Sequence, residues 1–129
     1  MMDDREAVLR GLGVGDIFHA RSPNGASMVC LVTAVTDTTI FARRIHTQDD
    51  HQFDRPTGIE LGEQNGRIDC VVPLPSEAHD VLTAMDKKGQ RLAALFRSGV
   101  EPDPAEYKLT DAEKEAGRFI SAHIKANQI

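Results

Sequence analysis

The hydrophobic pattern changes period along the chain, and the change divides it into two parts. Residues 4–11 fit one short helix, with Asp4 as N-cap and Gly11 after it. Seven or eight residues gain little from local forces alone, so such a helix depends on what it packs against. Gly13 and Gly15 then break the chain.

From Asp16 the pattern predicts strands. A first strand covers 17–21. Ser22-Pro23-Asn24-Gly25 has the residue order of a type I turn, with proline's preset φ in second place and glycine fourth. The next stretch, 26–35, is apolar on both faces: Met28, Cys30, Val32 and Ala34 on one, Val29, Leu31 and Val35 on the other. A strand of that kind is covered from both sides, so a helix from the second half is expected on the side away from the sheet's own interior. Thr36-Asp37-Thr38 reads as a turn, 39–46 as the return strand, 47–50 as a polar loop, and 51–55 as a short strand or bend ended by Pro56. Asn65-Gly66 is the preferred pair for a two-residue type I′ hairpin. That turn sets Gln64 opposite Arg67 and Ile59 opposite Val72, and gathers Ile59, Leu61, Ile68, Cys70 and Val72 on one face.

After Pro73 and Pro75 the period becomes helical. Ser76 is the N-cap candidate, and apolar residues recur at Ala78, Val81, Leu82, Met85, Leu92, Leu95 and Phe96. The stripe keeps its phase through Gly89, which predicts one helix over 77–97 with a weak point costing about 1 kcal/mol at that glycine. A break at Lys88-Gly89 into two helices is the alternative. Gly99 and Val100 fit a Schellman ending. Thr110-Asp111-Ala112-Glu113 is a capping box, opening a helix over 111–126 with the stripe Ala112, Ala116, Phe119, Ile120 and Ile124. The predicted architecture is one α+β domain over 1–129. A small antiparallel β-barrel or curled sheet, SH3-like, occupies 1–72, and two amphipathic helices in 73–129 pack on it.

Composition narrows the setting. The chain has 129 residues and a formal charge of −5. Residues 1–72 carry seven arginines, no lysine and eleven acids, so the β-rich part is acidic overall. This disfavours a general grip on nucleic acid or anionic membrane. No apolar run approaches a membrane span, and the acidic N-terminus with no apolar stretch behind it reads as no signal peptide, which makes the cytoplasm the expected address. Cys30 and Cys70 lie in apolar runs and are expected as reduced, buried thiols.

The densest polar segment is 43–55. Arg43, Arg44, His46, Asp50, His51, Asp54 and Arg55 are its candidate ligand- or partner-binding residues. His46, Asp50, His51 and Asp54 have donor atoms suited to zinc or a similar ion, though their spacing matches no zinc motif. A solvated loop has the same composition. Arg21, Arg43, Arg44 and Arg55 are the candidates for a phosphate- or carboxylate-reading patch, but Arg43 and Arg44 cannot share one face of a regular strand. Internal ion pairs with Asp16, Asp50 or Asp54 are the competing account. Aromatic grooves are disfavoured, with no Trp and one Tyr. No Ser-His-Asp or Cys-His set stands out, and His19, His79 and His123 are isolated in the sequence. No catalytic residue, cofactor or metal is assigned.

Three functions follow. The first is a non-catalytic protein-interaction or regulatory module, with a protein partner or a homo-oligomer formed through the helical half. The second is a nucleic-acid-associated regulator using the arginines. The third is a metal-binding or hydrolytic site in 43–55.

Overall fold

The computed structural model describes residues 4–62 and 65–129. Five antiparallel strands, β1 (Ile17–Arg21), β2 (Ser27–Val35), β3 (Thr39–Arg44), β4 (Asp50–Asp54) and β5 (Arg67–Cys70), form one sheet in the order β4-β3-β2-β1-β5. A short helix α1 (Asp4–Arg10) precedes it, and α2 (Ser76–Arg97) and α3 (Asp111–Ala126) follow it, with a single 3₁₀ turn at Pro104–Tyr107 between them. The sheet curls into a half-barrel. Residues 58–60 bridge its two edges, because Glu60 pairs with Phe53 of β4 while Ile59 pairs with Arg67 of β5.

The two faces of β2 account for the two cores. Met28, Cys30 and Val32 point into the barrel, where they meet Phe18, Ala20, Ile40, Ala42, Phe53 and Ile68, with Leu9 and Leu12 closing one end. Phe18 and Phe53 meet edge to face at 5.3 Å, an arrangement worth about 1 kcal/mol beyond the buried area. On the opposite face Val29 and Leu31 pack with Ile17, Ile45 and Cys70 against Leu82 of α2 and Ile120 and Ile124 of α3. The helical cover expected from the two-faced strand is therefore present. A bulge between Val32 and Ala34 reverses the facing beyond it, so Val35 packs on the barrel core and Ala34 is exposed.

Local signals explain most of the boundaries. The Gly25 amide donates to the Ser22 carbonyl at 2.9 Å, closing the expected turn. α2 is continuous through Gly89 and ends as a Schellman motif: Val100 N–H donates to Leu95 O, Gly99 N–H donates to Phe96 O, and Gly99 takes φ 75°. Thr110 and Glu113 form the reciprocal capping box of α3.

Three expectations are corrected. The Asn65-Gly66 hairpin does not have the expected register, since Ile59 lies opposite Arg67 and not Val72. Gly66 lacks the positive φ that a type I′ turn requires of both central residues, and the pairing proposed for Gln64 lies outside the described residues. β5 instead pairs with β1. Of the face expected to be buried, Ile68 and Cys70 are buried, but Ile59, Leu61 and Val72 are exposed, and Glu60, which alternation sets on the other face, is buried in their place. The N-cap of α2 is Pro75, with no side-chain bond, and Ser76 is already helical. Phe119 and Ala112 of α3 are exposed, while Glu113 is buried.

Candidate functional site

The tertiary structure distributes the polar segment 43–55 over three places. Alternation along β3 separates its last two residues. Arg43 lies opposite Leu31 on the helix-covered face, and Arg44 lies opposite Cys30 at the rim of the barrel. Arg43 donates from Nε and Nη2 to the two carboxylate oxygens of Asp86 in α2, at 2.9 and 2.7 Å. Asp86 is 3% exposed and also accepts from Gln48 Nε2 at 3.0 Å. The Arg43 guanidinium holds the Asp86 carboxyl below the usual carboxylate range despite its burial. Arg43 is thus the clamp between sheet and helix. Its acidic partner lies forty-three residues away, and none of Asp16, Asp50 or Asp54 fills that role.

Arg55 and Asp54 are also structural. Arg55 donates to the carbonyls of Thr36, Arg10 and Leu12, tying α1 and the 36–38 turn to the end of β4. Asp54 accepts from the Thr57 amide and hydroxyl and so shapes the 54–58 turn. His46 is exposed in the turn after β3. The four proposed metal donors do not converge, and among the described residues no three His, Cys, Asp or Glu side chains are grouped to hold an ion. The four arginines of the expected patch do not converge as one group, although Arg21 and Arg44 both border Ser27. Arg43 and Arg55 are engaged internally, and Arg44 donates to the Ser27 carbonyl at 3.0 Å.

Arg44, Asp50 and His51 do come together. With Asp49 and Glu60 they line an open cleft of about 970 Å³ at the mouth of the half-barrel, between the 22–26 turn and residues 60–62. His51 points inward from β4, and its Nδ1–H donates to the buried Glu60 carboxylate at 2.7 Å. The carboxylate therefore fixes the ring's orientation and tautomer. His51 Nε2 has no hydrogen-bond partner among the described residues. Three carboxylates against one guanidinium make the cleft negative. Glu60 was not foreseen, because its burial depends on the bridge to β4 and β5 rather than on alternation in its own segment.

On the opposite face, β1, β2 and β5 bring three polar side chains together that the sequence keeps far apart. His19 is 2% exposed, with Nδ1 on the Asp69 carboxylate and Nε2 on the Ser27 hydroxyl. Asp69 also faces Arg21, whose Nε lies at 3.5 Å.

The helical half carries a different kind of surface. The buried residues of α2 are Ala78, Leu82 and Asp86, all in its first half. Beyond them Leu92 and Leu95 are half-buried, and Phe96, Val100, Tyr107 and Leu109 are each about half exposed. The Phe96 and Tyr107 rings lie 6.1 Å apart, beside an Arg91–Glu106 ion pair. No helix among the described residues is long and apolar enough to cross a membrane.

No protein-family model, curated protein or solved structure matches the chain at a significant level.

Proposed function

We propose that this protein is an interaction module whose partner surface is the end of the α2–α3 hairpin, and that its simplest occupant is a second copy of the chain. The reading is carried by the exposure of Phe96, Val100, Tyr107 and Leu109 at the end of a long helix and along its connector, with the Phe96 and Tyr107 rings in contact. Aromatic residues grouped in this way, rimmed by an ion pair, have the composition of an interface centre. Isologous dimers are the commonest way to cover such a patch. Light scattering across a concentration series tests it. The expected result is a dimer that Phe96→Asp converts to a folded monomer. A wild-type chain that stays monomeric at 100-fold the concentration of the first measurement overturns it.

A second reading attaches to the cleft. Its excess of carboxylates and the His51–Glu60 pair favour a cationic ligand, such as a lysine or arginine side chain of a peptide. Calorimetry with a short arginine-rich peptide at low salt is expected to give binding that weakens with ionic strength and with Asp50→Asn. Equal heats for an acidic peptide of the same length would remove it.

A further inference from the structure

We infer that Ser27 is an activated nucleophile, served by His19 as general base with Asp69 as the residue that positions the imidazole. The two bonds to the ring fix its roles. Ionised Asp69 can only accept, so Nδ1 carries the hydrogen on that side, and in the neutral imidazole Nε2 is left to accept from the Ser27 hydroxyl. This is the connectivity, nitrogen by nitrogen, that activates serine for acyl transfer on unrelated folds. The setting is suitable as well. His19 is almost wholly buried, beside Val29 at a crevice under α3, while Ser27 is exposed at the first position of β2.

Arg21 is the cross-strand partner of Ser27, so the two side chains share a face. Arg21 supplies a cation on the same face as the hydroxyl, with its Nε 3.5 Å from the Asp69 carboxylate, and favours an electrophile that develops or carries negative charge. His123 of α3 lines the same crevice as His19 and bonds the Val72 carbonyl. The substrate class is a small ester of an anionic acid. Ser27 Oγ attacks the carbonyl carbon while its proton passes to His19 Nε2. The carbon–oxygen bond to the alcohol then breaks, and that oxygen leaves with the proton from Nε2. Water attacks the acyl-serine in the same way, giving the acid and restoring the Ser27 hydroxyl. This site lies on the opposite face of the sheet from the cleft, and it does not depend on the interaction surface proposed above.

An organofluorophosphonate probe, which releases fluoride when serine attacks phosphorus, tests the inference on the full chain. Peptide mass spectrometry is expected to place the adduct on Ser27, with none in Ser27→Ala. In parallel, iodoacetamide should alkylate Ser27→Cys at least tenfold faster than Ser121→Cys, an exposed position with no histidine partner. Asp69→Asn should slow either reaction tenfold at a temperature where circular dichroism shows the variant still folded, although loss of the charged partner of His19 and Arg21 lowers its melting temperature. The inference falls if position 27 is no more reactive than position 121, or if Asp69→Asn leaves the rate at position 27 unchanged.

Discussion

Arg43 and Asp86 meet through two parallel hydrogen bonds of 2.9 and 2.7 Å, and this pair joins the curled sheet to the helical half. Around it the 45–48 turn is anchored as well, because Gln48 bonds both Asp86 and the Ile45 carbonyl. Sheet, turn and helix thus converge on one buried carboxylate.

Removing that carboxylate should be costly. Asp86→Ala leaves the Arg43 guanidinium, which is about one-fifth exposed, without its partner. The expected loss is about 3 kcal/mol, the low end for a broken buried pair because water still reaches Arg43. Arg43→Lys should recover little, since an ammonium cannot bond both oxygens in the same geometry. Urea unfolding measures both.

The same pair predicts an acid dependence. Because the folded-state pKa of Asp86 is depressed, its contribution is complete above the unfolded carboxylate value of about 4 and is lost as pH falls through the lower folded value. The stability difference between wild type and Asp86→Asn should therefore hold from pH 7 to about pH 5 and shrink below pH 4. A difference that stays constant down to pH 2 would contradict the assignment.

Gly89 should respond to substitution against its helix propensity. A Cβ there would lie 2.8 Å from Gln48 Nε2 and 2.9 Å from its Cδ. Gly89→Ala is expected to destabilise the protein by displacing Gln48 from Asp86. In a Gln48→Ala background the same change should stabilise by up to about 1 kcal/mol, the ordinary helical gain. A double-mutant cycle reads the reversal of sign directly.

The capping box gives a smaller effect. Thr110→Ala should cost about 1 kcal/mol and Thr110→Ser much less, because only the hydroxyl oxygen accepts from Glu113 N–H. Burial pushes the Glu113 carboxyl up. The Thr110 N–H and Lys88 outweigh it and hold the group below the usual range, so the box also weakens in acid.

The cysteines should be silent in the folded protein. Burial pushes the Cys30 thiol up to about 12 and raises that of Cys70. Neither should react with a disulfide reagent at pH 8 until the chain unfolds, at which point both should react together. Reaction of either thiol before the unfolding transition would show that its core opens locally.

Much of the architecture was legible in the linear pattern. β1 matches the predicted bounds, α2 and α3 match theirs within a residue, and the Schellman ending and the capping box involve the residues expected of them. These features depend on neighbours within about five positions, where spacing and residue type suffice. The two-faced character of 26–35 also announced a covering helix, because alternation records burial on each face separately. The separation of Arg43 from Arg44 follows from the same alternation.

What the linear pattern could not supply was the choice of partners across the fold. Glu60 is buried because residues 58–60 bridge two strand edges, Arg43 is neutralised by a helix forty-three positions on, and Ser27, His19 and Asp69 meet only because β1 pairs with both β2 and β5. Local sequence determined which segments are strands and helices and where they stop. Register and strand order decided which polar side chains face one another, since one backbone segment can pair with several edges and only the packed cores on both faces of the sheet select among them.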